Sequence, residues 1–261
     1  MKKFQNLLVE KKSSASWIIL NRPEVKNAFS IEMAKEFLEA VRIGLKESPV
    51  VVLTGKGDSF SAGGDIKKMS ETKNLKKFFL EISKIVNTAV LEMRRSEKPI
   101  LAAIPGYVGG IAFGAVLGTD LRIASTEAKF NAATIRLGLV ANGSATYFLP
   151  RLSGLGKANE ILLLGEILSA EEALKAGLVN WVVSPADLES KTQEIAERLA
   201  SGPRKALGRL KKILQSSLTS TLPTQLEQER QAIAWSSTTP DFKEGMTAFL
   251  EKRRPSFNRG R

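Results

Sequence analysis

Two stretches of this chain repeat one local order, and that order fixes the fold class. Val50-Val51-Val52-Leu53-Thr54-Gly55 runs through Phe60-Ser61-Ala62-Gly63-Gly64-Asp65 into the polar, helix-prone Ile66-Lys67-Lys68-Met69. Further on, Ile100-Leu101-Ala102-Ala103-Ile104 runs through Pro105-Gly106-Tyr107-Val108-Gly109-Gly110 into a small-residue helix over 111–118. Each apolar run is short, continuous and closed by Gly or Pro, the pattern of a buried strand. Strand, loop and helix in that order, repeated, imply an α/β fold: a parallel sheet with crossover helices. No clean period of about 20–50 residues is present, so the repeat does not read as a solenoid.

The glycine pairs carry a second implication. Adjacent glycines between strand and helix let backbone N–H groups approach a ligand without side-chain interference. At a helix N-terminus such groups bind anionic oxygen. With a thioester carbonyl as ligand, the same geometry stabilises an enolate. By itself, a Gly-Gly turn is more often only a turn.

Around this frame, Ala15–Leu20 and 120–124 predict further strands, and 177–183 a short last one. Ser30 is a candidate cap for a helix with Ile31, Ala34, Phe37, Leu38 and Val41 at helical spacing. Residues 73–98 predict a long helix with Leu75, Phe78, Phe79, Ile82, Ile85, Val86 and Leu91 on one side. Residues 128–131 and then 138–145 read as an irregular stretch leading to Leu149-Pro150-Arg151-Leu152, and 157–164 as a helix. Ser169-Ala170-Glu171-Glu172 is a capped helix start with acids in its first turn. From Pro185 onward every segment is helical in pattern: 188–201, 203–217, 223–236 and 240–252.

The chain has no cysteine and no histidine. That excludes disulfides, thiol nucleophiles, Cys/His zinc sites, Ser-His-Asp triads and histidine bases. Acid–base work falls to Asp, Glu, Lys, Tyr, water or the substrate, and no metal site is expected. No apolar run approaches the roughly 18 residues of a membrane span. Met1-Lys2-Lys3-Phe4-Gln5 lacks the apolar core of a signal peptide, so a cytoplasmic protein is expected. The net charge of +12 suits nucleic acid, an anionic surface or phosphorylated ligands. The plainer reading is a lysine-rich solvated surface, densest over 251–261.

Together these phrases resemble the crotonase, or enoyl-CoA hydratase/isomerase, superfamily, and the matches cover nearly the whole chain. The stretch 60–69 resembles its first oxyanion-hole motif, Asn21-Arg22-Pro23 with Asn27-Ala28 its first signature, and 241–253 its C-terminal helix. The resemblance implies a ββα spiral core over 1–185 carrying an acyl-CoA site. It implies a helical oligomerisation and lid region over 186–261, and a homotrimer or dimer of trimers. A thioester carbonyl would sit between two backbone N–H donors, on Gly64 and Ile111. The family normally has glycine at the second position; Ile111 keeps the N–H, but its β-branched side chain must point away. CoA contacts are implied at Val25 by backbone, Lys26 by charge, Ala62, Asp65, Ile66, Phe249 and Lys252. Asp65 would be structural, and Phe249 and Lys252 would cover the adenine end of their own or a neighbouring site. The CoA thioester is the substrate, and no separate cofactor is implied.

The acids depart from the family pattern. Hydratases of the family use two glutamates; the matching positions here are Gly114 and Thr134. Family isomerases often use one acid a little further on, where this chain has Asn142 in Asn142-Gly143-Ser144. Threonine and asparagine cannot act as bases near neutral pH. Glu81, Tyr107, Tyr147, Lys67 and Lys68 could stand in, although a structural or solvated role is the plainer reading of each. An acyl-CoA enzyme favouring isomerisation, hydrolysis or decarboxylation over hydration is therefore expected. A non-catalytic acyl-CoA-binding subunit is the second class. Nucleic-acid binding is the third; no RRM, KH or zinc pattern supports it.

Overall fold

The protein is described by a computed structural model covering residues 3–258. Met1, Lys2 and Arg259-Gly260-Arg261, which hold part of the basic terminal run, lie outside the described residues.

An antiparallel hairpin opens the chain, β1 (Leu7–Lys12) against β2 (Ala15–Leu20), with Leu7 opposite Leu20. Helix α1 (Ile31–Glu47) begins at Ser30, whose side chain accepts the Met33 N–H at 3.2 Å. Such a cap contributes about 1 kcal/mol.

The spiral follows. Its first turn is β3 (Val50–Gly55), β4 (Ser59–Ser61), α2 (Ile66–Ser70) and α3 (Leu75–Arg95). The second is β5 (Ile100–Ile104), β6 (Tyr107–Gly109) and α4 (Gly110–Leu117). The third is β7 (Leu121–Ser125), β8 (Lys129–Asn131), a 3-10 turn Ala133–Leu137, α5 (Ala145–Ser153) and α6 (Leu155–Leu164). Then come β9 (Ile167–Ser169), α7 (Ala170–Lys175), β10 (Trp181–Val183), α8 (Leu188–Ala200), α9 (Arg204–Ser216), α10 (Leu222–Ser236) and α11 (Pro240–Leu250).

These strands make two sheets, ordered β1-β2-β3-β5-β7-β10 and β4-β6-β8-β9. In the first, every pair except β1–β2 is parallel; in the second, β9 alone runs antiparallel to its neighbour. The sequence predicts one strand per turn, and the structure adds a second. What reads as loop before each glycine pair is a three-residue strand, too short to show a period of two.

Alternation in the first sheet sorts its side chains. Ile18, Val51, Leu53, Ile100 and Ala102 face the core under α1 and α3. Trp17, Val50, Val52, Leu101 and Ala103 face Leu188, Ile195, Ala196 and Ala200 of α8 on the other side. The helical region after 185 thus gives its first helix to the core. All five residues of β5 are buried, as a strand covered on both faces requires. The stretch expected to be irregular contains strand β8, and the Leu149-Pro150-Arg151-Leu152 to which it leads lies in helix α5; Pro150 in its interior, a residue that ordinarily ends helices, hides it.

Candidate active site

The two glycine turns lie against each other. Strands β4 and β6 pair in parallel, Ser61 beside Val108, and so deliver Gly63 to Gly109 and Gly110. Gly63 has φ +95°, and a Cβ there would stand 2.9 Å from the Gly109 carbonyl oxygen. Only glycine meets both demands. A Cβ on Gly110 would stand 3.5 Å from Gly63 Cα and 3.9 Å from the Gly64 nitrogen, so successive turns touch main chain to main chain.

Hydrogen bonding around Gly64 leaves its amide over. The Gly63 N–H donates to Ser61 Oγ at 3.1 Å, and Ser61 Oγ donates to the Asn27 carbonyl at 2.7 Å. The Phe29 N–H donates to the Gly63 carbonyl at 2.7 Å, and the Asp65 N–H donates to the Phe29 carbonyl at 3.0 Å. Between two committed amides, the Gly64 N–H has no backbone partner among the described residues. Ile111 is the second residue of α4, where the helix supplies no acceptor, and its N–H also lacks a partner among the described residues. Gly64 and Ile111 line the same cavity, of about 560 Å³. The Ile111 side chain is 5% exposed and packs in the core, so its bulk is directed away from open space.

Apolar groups form most of the wall: Met69 from α2, Phe79 and Ile82 from α3, and Leu137, Leu139 and Val140 beyond the 3-10 turn. Val140 is 83% exposed and Leu137 62%, so this side of the wall stands at the solvent edge. Among the described residues no Asp or Glu lines the cavity; its ionisable lining groups are Tyr107 and Arg136. The Tyr107 hydroxyl is hydrogen-bonded by the Asn131 amide. A mostly apolar cavity with two unpartnered amides can hold an acyl chain and polarise its carbonyl.

Ala62, Ile66, Thr134 and Asn142 line the cavity as the sequence implied. Asp65 does not. It caps α2 by accepting the Lys68 N–H at 3.1 Å and pairs with Arg22 at 3.1 Å, both side chains largely buried. That is the structural role expected of it. Val25 ends a short 3-10 turn and Lys26 follows in a left-handed conformation, both exposed. The Lys26 carbonyl accepts the Ala62 N–H at 2.8 Å, which sets this turn beside the cavity wall. Lys67 and Lys68 are exposed, and Lys68 pairs with Glu71 at 3.2 Å. Phe249, 83% exposed, and Lys252 do not line the cavity. Glu81 does not line it either; it is ion-paired with Lys35 at 3.1 Å.

Gly114 is buried beneath the site and does not line it. A Cβ there would overlap the carbonyl oxygens of Asn142 and Gly143 and stand 2.6 Å from the Gly143 carbonyl carbon. Ser144 Oγ ties the same segment down by donating to the Gly114 carbonyl at 2.9 Å. Asn142 Nδ2 donates to Ser83 Oγ at 3.2 Å. Phe79, Ile82, Ser83, Asn131 and Arg136 are wall residues that the sequence did not mark. Phe79 and Ile82 read as core because α3 buries one face. Ile135, Leu137, Leu139 and Val140 offered a signal, an apolar cluster without periodicity.

A two-sheet spiral whose successive turns bring paired glycines over an apolar cavity defines a crotonase-type protein. Comparison with known proteins agrees: the family described as enoyl-CoA hydratase/isomerase matches residues 10–260, and the chain belongs to it. It is 34% identical over 244 residues to 1,2-epoxyphenylacetyl-CoA isomerase of Escherichia coli K12, covering 92% of this chain and 93% of that one. It is 33% identical over 254 residues to short-chain-enoyl-CoA hydratase of Clostridium acetobutylicum, covering 95% and 96%. The crystal structure of enoyl-CoA hydratase from Bacillus anthracis superposes with a TM-score of 0.92 at 32% identity, over 97% of this chain and 99% of that one.

Proposed function

We propose that this chain binds an acyl- or enoyl-CoA thioester with its carbonyl oxygen between the Gly64 and Ile111 amides. The observation that carries this reading is two partnerless N–H groups on touching turns of one apolar cavity. Charge building on that oxygen would be stabilised by each amide, and losing one costs about 3 kcal/mol in such sites. Lys26 is a candidate for CoA phosphate, as a point charge at the cavity edge. Phe249 and Lys252 would cover the adenine end from a neighbouring subunit in a trimer or dimer of trimers. No described helix is long and apolar enough to cross a membrane, and a cytoplasmic location goes with the reading.

The chemistry follows from what the wall lacks. Hydration needs a carboxylate to deprotonate water and another to protonate carbon. Positions 114, 134 and 142 supply none, and no described Asp or Glu lines the cavity. Reactions whose main demand is an electron sink are favoured: decarboxylation, thioester hydrolysis, or isomerisation aided by water. The same lack of acids favours a second reading, a binding subunit without turnover. A panel of acyl-CoA thioesters followed by mass spectrometry, scoring retention and product, separates these. Hydration of crotonyl-CoA at the rate of a two-glutamate hydratase would overturn the chemistry proposed. No retention of any thioester would overturn the ligand.

A further inference from the structure

A second cavity, of about 590 Å³, lies on the other side of the segment 142–144. Val90, Leu91 and Arg94 of α3 form one wall, Phe148 of α5 another, and Gln215 of α9 a third. Asn142 borders both cavities, and its hydrogen-bond partner Ser83 lines the first. Asn142 is thus the residue common to both walls, and the segment 142–144 is the partition between the cavities.

The second chamber carries a positive charge whose acid partner, Asp120, lies outside the chamber wall. Arg94 is the charged residue in its wall, and no described Asp or Glu lines it. The guanidinium carbon sits 5.1 Å from the Phe148 ring centre, and Nη1 donates to Asp120 Oδ1 at 3.2 Å. Nε and Nη2 have no protein partner among the described residues. Asp120 is shared: Lys211 Nζ reaches its other oxygen at 2.7 Å, and the Ile100 N–H donates to that oxygen at 2.8 Å. Two cations thus divide one carboxylate. Burial holds the Arg94 and Lys211 pKa values below their ordinary range, with Asp120 opposing the shift in both. A second donor points the same way. Gln215 Nε2 is buried and without a partner among the described residues. A buried amide left so costs about 1–3 kcal/mol unless a ligand supplies the acceptor.

We propose that the second chamber receives the far end of the acyl chain, where Arg94 and Gln215 bind a terminal carboxylate, so that the substrates are ω-carboxyacyl thioesters. The proposal rests on the thioester reading above. The guanidinium fork matches a carboxylate, and the apolar wall around it strengthens the pairing. A methyl-ended chain would instead place a hydrocarbon beside Nε and Nη2, leaving these donors without an acceptor.

Titration calorimetry tests this with adipoyl-, suberoyl- and sebacoyl-CoA against hexanoyl-, octanoyl- and decanoyl-CoA. At one length or more, the carboxylated ester should bind at least about tenfold tighter, the worth of a charge-assisted pair. Arg94→Gln should bring that ratio to about one, and Arg94→Lys should keep part of it. Gln215→Leu, which leaves the Asp120 pair intact, should lower the ratio and decides the matter if Arg94→Gln does not fold. A ratio near one at every length in the unaltered protein overturns this proposal alone. So does a ratio that survives both folded variants. Failure of both ester series to bind overturns it together with the thioester reading.

Discussion

The carbonyl oxygen of Asn142 occupies the space that a Cβ on Gly114 would need. A side chain at 114 therefore has no room, because the main chain of 142–144 packs directly on this position. Gly143 takes φ +64° and Ser144 φ +81° to do so, and the Ser144 hydroxyl fastens the result to the Gly114 carbonyl.

Gly114→Glu is therefore expected to destabilise the fold, by about 1–3 kcal/mol of overpacking, and not to create a hydratase. Urea unfolding reads the first effect and crotonyl-CoA turnover the second. Restored hydration in the Gly114→Glu, Thr134→Glu double variant would mean that the 142–144 segment yields readily.

Asn142 borders the cavity that holds the two amides, so Asn142→Asp puts a carboxylate where a proton could be carried along an acyl chain. The Ser83 hydroxyl then donates to it, where Asn142 donates now. Double-bond isomerisation of a 3-enoyl-CoA should rise at least about 100-fold, the lower range for a positioned base. No gain in a folded variant that still retains acyl-CoA would remove residue 142 from the reacting centre.

Ile111→Pro deletes one amide in the first helical turn, where proline is tolerated. Turnover should fall about 100–1,000-fold with little change in KM, as for loss of one oxyanion donor. A loss confined to KM would assign that amide to binding in the ground state.

Lys211 is held below the ordinary lysine pKa, first by burial, with Asp120 opposing. Its native state gives up a proton more readily than its unfolded state. Below the native pKa the burial cost of the charge is carried in full; it is relieved as pH rises from there towards ~10.4. The stability of the unaltered protein relative to Lys211→Met should accordingly rise with pH across that window. Denaturant titrations at stepped pH read the gap; a gap that stays constant or narrows contradicts the assignment.

Helices α10 and α11 expose Leu222, Leu226, Ile233, Phe242, Met246, Phe249 and Leu250. If this apolar surface is the expected interface between copies, light scattering should find three or six copies of the 28.5 kDa chain. Leu226→Lys with Ile233→Lys should shift the mass towards the monomer. An unaltered protein already monomeric at micromolar concentration would contradict the expected assembly.

Most of the spiral was legible because its strands are long enough, or buried enough, to declare themselves. Val50–Gly55 and Ile100–Ile104 are continuous apolar runs, and Ser30 and Ser169 cap where their side chains predict. The second sheet was not legible, since Ser59–Ser61 and Tyr107–Gly109 are held by pairing with each other rather than by any pattern of their own. In the site, the family resemblance pointed to the two amides beside the glycine pairs, but nothing local says that Ser83 meets Asn142 across 59 positions. Absence of acids was readable residue by residue. That the 142–144 main chain takes the space beside Gly114 emerges only in three dimensions.

The contact between Gly63 and Gly110 has one more consequence. Under the proposed function, the polarising element would be made of peptide bonds from neighbouring coils of a spring, so its spacing would be the pitch of that spring. Wall residues such as Phe79, Met69 or Ile82 could then be exchanged, and the range of guests altered, while the focus stays put. Substitutions that loosen the winding, however remote, should blunt reactivity before they disturb what the chamber admits.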